Sequence, residues 1–267
     1  MSILAGPRIQ TLRVPTRSGH MVERNVVAYR HNWIVLVSGF FEPVLYLLGI
    51  GFGLGSLVHS VSVGGGHTVS YAMFVAPALM ATSAMNGAVY ESTSNFFFKL
   101  RYAKTFEAVI QTPMGIEDAA FGEVIWAVIR GCLYSVAFVV IMLLLGLIAS
   151  PWAVLAVPAA LLIGFAFAAV GIAVTTFMRQ WQDHEIVQLG LQPMFLFSAT
   201  FFPITVYPPL LQAFVAITPL YRGIDLIRGL TTGTVGSSQL VDVLYLVLVG
   251  VAGVAVASLR LRRRLLK

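Results

Sequence analysis

Between Trp33 and Leu259 the sequence runs in apolar blocks, several of them long enough to cross the roughly 30 Å hydrocarbon core of a bilayer at about 1.5 Å of helical rise per residue. Only 10% of the residues are charged and 58% are hydrophobic, whereas a soluble domain carries about 25% charge. That excludes a soluble protein and makes the chain an integral membrane one. The net charge of +6 sits in clusters, a poor match to nucleic acid. The single cysteine, Cys132, lies in an apolar run with no CxxC partner and reads as a small membrane residue. The first apolar block follows five arginines and is too long for the core of a signal peptide.

In chain order, six spans are expected, at about 33–55, 71–98, 118–149, 152–178, 186–202 and 240–259. Ahead of them, 19–31 reads as a basic amphipathic helix with Met21, Val22, Val26 and Tyr29 towards one face, lying along an anionic membrane surface. Residues 56–70 read as a Gly/Ser/His loop, with His59 and His67 as solvated loop histidines. Residues 203–230 are cut by Pro203, Pro208, Pro209 and Pro219, so no piece is long enough to span. Two short helices dipping into the outer leaflet are expected there. Gly164, Ala168 and Gly171 offer a small-residue contact face.

Polar residues inside the spans mark the candidate site. Glu42 precedes Pro43 near the middle of the first span, Glu91 and Asn95 lie in the last turns of the second, and Arg130 lies deep in the third. A charge at such depth costs about 2.5–3.5 kcal/mol on insertion scales and should face protein or water. The expected partner of Arg130 is Glu42 or Glu91, either as a structural buried pair or as part of a substrate path. His184-Glu185 fails as a zinc motif because HExxH would need histidine where Gln188 stands. The other histidines lie in separate segments, so no catalytic or metal-binding residues are assigned.

The stretch Tyr102–Arg130 is the longest mixed interruption between apolar blocks. Phe106, Val109 and Ile110 fall at helical spacing, Pro113 stops that helix, and Gly115 lets the chain turn. Glu117 and Asp118 then open the next helix. The short helix serves either as a docking handle for a soluble partner or as an interfacial helix on lipid headgroups. Lys and Arg at 8–30, 99–104, 179 and 260–267 place those segments and both termini in the cytoplasm. The domains expected are a cytoplasmic segment at 1–32, a six-helix membrane domain at 33–259 and a basic tail at 260–267.

Three stretches together, in this order, carry a resemblance: YRHNWIVLVSGFFEPVLYLLGIGFGLG at 29–55, TFEAVIQTPM with GEVIWAVIRG, and FSATFFPITVYPPLLQAF with ITPLYRGIDLIRG at 197–229. The chain resembles a type-2 ATP-binding-cassette (ABC) exporter permease, and within that family the nodulation-factor export type. One departure is Thr218-Pro219-Leu220, where the family often has Asn-Pro-Leu. The resemblance implies a multi-pass protein of the bacterial cytoplasmic membrane, paired with a second copy or a sister permease. ATP and Mg would be bound by separate nucleotide-binding subunits, with no cofactor in this chain. It also implies that the segment between spans two and three couples to the ATPase. The residues concerned are Thr105, Phe106, Glu107, Val109, Ile110, Thr112 and Pro113, and the turn at 178–188 faces the ATPase too. The sequence agrees in one respect: no GxxxxGK[ST] occurs, so the chain holds no P-loop of its own. Few charges and many aromatic residues suit an amphipathic cargo, either a hydrophobic drug or a lipid-linked oligosaccharide or polysaccharide. The competing expectation is a gradient-driven transporter or channel using Glu42, Glu91 and Arg130 as a relay.

Overall fold

The computed structural model describes residues 14–30, 41, 43–58, 60–63, 67–103 and 116–265. Glu42, residues 31–40 of the first expected span, and the whole segment from Thr105 to Pro113 lie outside them. The described chain is helical apart from one small hairpin. Its elements are α1 (Val14–Arg30), α2 (Pro43–Ser56), β1 (Val61–Val63), β2 (His67–Val69), α3 (Tyr71–Arg101), α4 (Ile116–Leu144), α5 (Ala156–Thr175), α6 (Asp183–Phe197), α7 (Pro209–Ile217), α8 (Pro219–Thr232) and α9 (Ser237–Leu265).

Among the described residues four helices are long and apolar enough to cross a membrane: 71–101, 122–144, 151–175 and 237–260. The count rises to five if α7 and α8, bent by 85° at Thr218, form one broken span. The fifth expected span is the shorter α6, about 22 Å at helical rise, because the chain leaves the helix after Phe197. α4 ends at Leu144 rather than near Ala149, and Gly146 then turns the chain at φ +66°.

α5 is the centre of the bundle and packs against α3, α4, α8 and α9. It contains no charged residue, and its alanines and glycines let neighbours come close. A Cβ on Gly171 would lie 1.9 Å from Ser92 Oγ of α3, and one on Gly253 of α9 would lie 2.8 Å from the Ala169 backbone. Gly164, by contrast, has nothing within that reach. α9 turns Leu240, Leu244 and Leu248 outwards, the apolar face that lipid requires of an outer helix.

α3 begins at Ser70, whose hydroxyl accepts from Met73 N. Near its far end Glu91–Asn95 form a π turn, which widens the helix and re-aims side chains. Thr175 of α5 donates to the Ser92 carbonyl at 2.9 Å, satisfying backbone that the wider turn exposes.

Two expectations are corrected. Residues 56–70 are not wholly loop: Val61–Val63 pairs antiparallel with His67–Val69. The Val-Ser-Val alternation buries Val61 and Val63 towards the core. α1 does not bury the expected face of Met21, Val22 and Val26 as a unit. It packs against α4 through buried Met21 and Asn25, while Val26 is exposed. Asn25 turns inward because α3 and α4 offer it charged partners.

The bend between α7 and α8 has a local cause. Thr218 is extended (φ −68°, ψ 135°), Pro219 begins α8, and the Thr218 hydroxyl accepts from Tyr221 N at 3.4 Å. Threonine thus caps α8 at the position where the chain departs from Asn-Pro-Leu.

Candidate functional site

The last turns of α3 carry alternating charge. Lys99 Nζ lies 2.6 Å from Glu123 Oε2 of α4 and 3.6 Å from Glu91 Oε1. It also donates to Asn25 Oδ1 of α1 at 3.2 Å. Glu123 accepts from Asn25 Nδ2 at 3.2 Å and lies 3.6 Å from Arg24 Nη2. Glu91 Oε2 is 2.7 Å from Arg130 Nη1 and accepts from Asn95 Nδ2 at 2.8 Å. Arg130 Nε donates to the Tyr134 hydroxyl at 2.8 Å, and its guanidinium lies over the Tyr134 and Tyr90 rings.

The chain of charges therefore runs Arg24, Glu123, Lys99, Glu91, Arg130, and joins α1, α3 and α4. Glu91, Glu123 and Arg130 are each at most 4% exposed. Carboxylates removed from water need charged partners, and each here has a cation on either side. The π turn sets Glu91 and Asn95 on one face of α3, towards Arg130. Lys99 is shared by the two carboxylates, so the ion pairs form one connected chain.

Arg130 also lines a cleft of about 530 Å³ between α2, α3, α4 and α6. Thr82, Asn86 and Tyr90 of α3 face Gln188 and Gln192 of α6 across it. Pro43 and Tyr46 of α2, with Leu191 and Phe195 of α6, make its apolar wall. Tyr46 and Phe195 are tilted against each other with centroids 6.1 Å apart. The lining alternates amide, hydroxyl and aryl groups. Among the described residues Arg130 is its one charged side chain.

At the Arg101 end of α3 the turn into α6 docks on the helix. The His184 ring sits 3.1 Å from Ser94 Oγ and 3.2 Å from Gln188 Nε2. Trp181 meets Phe97 and Tyr102, and Asp183 Oδ2 accepts from the backbone N–H groups of Arg179 and Gln180. One side of the cleft is thus tied to the same π turn that carries Glu91.

Among the intramembrane residues singled out in the sequence, the structure brings Glu91, Asn95 and Arg130 together. Glu91 lies at ion-pair distance from Arg130, while Glu42, the other expected partner, lies outside the described residues. Lys99, Glu123, Asn25 and Arg24 were missed as members of the site. Lys99 and Arg24 read as ordinary positive charge flanking a span, and only the fold shows that their heads turn inward. The signal for Glu123 was present: it stands two helical turns before Arg130 on one face. Asn86, Gln188 and Gln192 carry no charge and so drew no attention.

Comparison with known proteins adds a family. The ABC-2 type transporter family matches residues 18–231. Nodulation protein J of Rhizobium leguminosarum bv. viciae is 32% identical over 248 residues, covering 91% of this chain and 93% of that protein. Nodulation protein J of Sinorhizobium fredii is 32% identical over 77% of each chain. That of Rhizobium leguminosarum bv. trifolii is 33% identical over 79% of each.

Proposed function

The chain belongs to the ABC-2 type transporter family, and from that premise we propose that it is the permease of an ATP-driven exporter of an amphipathic cargo. Membership makes it a non-catalytic, multi-pass membrane subunit of a transporter that works with an ABC ATPase subunit. The relatives' names tilt the cargo towards a lipid-linked oligosaccharide or polysaccharide rather than a hydrophobic drug. ATP and Mg are held by the separate ATPase. The permease sits in the bacterial cytoplasmic membrane with both termini inside. Six spans occupy 33–259, a cytoplasmic segment 1–32 precedes them, and a basic tail 260–267 follows.

The observation that carries this reading is the charge network. It links Arg130, in the wall of the cleft, to Lys99, in the last turn of α3 before the segment 104–115. In the proposal that segment receives the ATPase stroke. Phe106, Val109 and Ile110 pack in a groove of the ATPase, Glu107 orients the contact, and Thr105, Thr112 and Pro113 bound the helix. The stroke then reaches Glu91 and Arg130 through Lys99, and α1 moves with it through Glu123. A second permease copy covers α6, which has no buried residue within its own protomer. Glu42, Glu91, Asn95 and Arg130 line or brace the cargo path.

The test is purification of the chain from mild detergent, with identification of co-purifying P-loop proteins and an ATPase assay. The reading expects a stoichiometric P-loop partner, with cargo movement lost in Phe106→Ala/Ile110→Ala while insertion and dimerisation persist. A folded, oligomeric preparation without such a partner, moving cargo on an ion gradient, would instead favour Glu42, Glu91 and Arg130 as a relay.

A further inference from the structure

We propose that the cleft between α2, α3, α4 and α6 binds the uncharged, hydroxyl-rich head of an amphiphile, held by the side-chain amides of Asn86, Gln188 and Gln192 against the tyrosine rings. The assignment rests on the exporter reading, since it takes the cleft as the place where cargo is held. It adds to that reading the residues, the part of the cargo and its charge.

The first argument is hydrogen-bonding capacity. Asn86 stands midway along α3, a helix long and apolar enough to cross a membrane, and lipid around such a midpoint offers a polar group no partner. Among the described residues neither Asn86 nor Gln192 makes a hydrogen bond within the chain, though both line the cleft. Gln188 makes one, to His184. An amide carries both donors and an acceptor. Adjacent hydroxyls also donate and accept, so amides match them on both counts. An anion would call for donors alone, and a cation for acceptors alone.

The second argument is charge. Among the described residues the one charged group in the cleft wall is Arg130, and Glu91 lies 2.7 Å from it. An anionic head would have to displace that carboxylate, and a cationic one would meet a guanidinium. A neutral head does neither, and avoids the cost of carrying a net charge to mid-membrane.

The third argument is shape. A sugar-like ring is apolar on its faces and polar around its edge. Tyr46, Tyr90 and Tyr134 supply rings for the faces, with hydroxyls at their tips. The volume of about 530 Å³ lies within the range of small-ligand sites, roughly 300–1,000 Å³. Such a head could arrive on a glycolipid from the leaflet or as a free oligosaccharide from water.

The experiment uses the full chain with its ATPase partner in phosphatidylcholine nanodiscs, free of glycoside detergent. Equilibrium binding is measured for three radiolabelled probes: decyl maltoside below its micellar concentration, free maltotetraose, and decyl phosphate. Saturable binding of either maltose-based probe, with decyl phosphate at least about ten-fold weaker, is expected. Binding of decyl maltoside alone identifies the leaflet as the source, and binding of maltotetraose identifies water; each supports the site. Asn86→Leu/Gln192→Leu should weaken the maltose-based probe about ten-fold or more, and Asn86→Gln with wild-type Gln192 should retain binding. Equal affinity for the phosphate probe, no saturable binding, or affinity untouched by the double substitution would overturn the proposal. Partner co-purification and basal ATP hydrolysis, read on the same sample, keep this failure distinct from failure of the exporter reading.

Discussion

Two regions of this bundle bury an arginine, and they treat it differently. Arg130 meets a carboxylate, Glu91, which Lys99 also approaches. Arg228, in α8, meets backbone. Its Nε donates to the Phe74 carbonyl at 3.2 Å, its Nη2 donates to the Ala199 carbonyl at 2.9 Å, and its guanidinium lies 3.8 Å over the Phe74 ring. Among the described residues no carboxylate lies at ion-pair distance from Arg228. Carbonyls of a folded backbone cannot exchange partners, so Arg228 is a staple joining α3, α8 and the turn after α6. Carboxylates shared between several cations can exchange, so the network at Arg130 is suited to shift without unfolding. The same residue type is held by backbone carbonyls at one end of the bundle and by a shared carboxylate at the other.

The largest effect should come from the staple. Arg228→Met removes the charged donor from two carbonyls and should destabilise the protein by about 3 kcal/mol or more, at about 1.5–3 kcal/mol for each hydrogen bond to a charged group. Folded yield and thermal unfolding in detergent measure it. Arg228→Lys should rescue little, because an ammonium cannot reach two carbonyls and stack on a ring at once. Full stability of either variant would erase the contrast between the regions.

The network should respond more mildly in stability and more sharply in function. A cycle of Glu91→Gln and Arg130→Gln should give a coupling energy of about 0.5–3 kcal/mol, as contacting residues do. Additive losses would mean that the pair does not act as one. Asn25→Ala should cost about 1 kcal/mol, the net worth of a typical hydrogen bond. It should also make α1 more open to limited proteolysis while leaving the rest of the bundle intact. Smallest of all, Ala199→Gly should shift stability by under about 1 kcal/mol. Ala199 holds a left-handed backbone (φ 56°) that glycine adopts freely, offset by the extra freedom glycine has when unfolded. A large loss there would mean that the methyl group, and not only the carbonyl, matters to the staple.

Much of the fold could be read from composition because a bilayer leaves few options. Long apolar blocks become helices, prolines at 208, 209 and 219 break them, and the Pro219 break is the 85° bend. The hairpin escaped notice because three-residue strands leave a faint alternation among glycines. Depth marked Glu91 and Arg130, since a buried charge stands out in an apolar run. Lys99 and Arg24 did not stand out, because a cation at the end of a span is ordinary and its inward turn depends on Glu123 in another helix. The cleft was the least legible part. Neutral amides on α3 and α6 meet only through packing, and nothing in the spacing of Asn86 and Gln192 announces it.

The most direct test of the network as a transmission needs no knowledge of the cargo. Gln192→Cys, in a Cys132→Ser background, places a thiol in the cleft wall of the assembled transporter. Its labelling rate is then followed with and without ATP and vanadate. The account predicts that nucleotide changes this rate, and that Glu91→Gln abolishes the change while the partner still binds ATP. A nucleotide-dependent rate that persists unaltered in Glu91→Gln would contradict it and reduce the network to a structural brace.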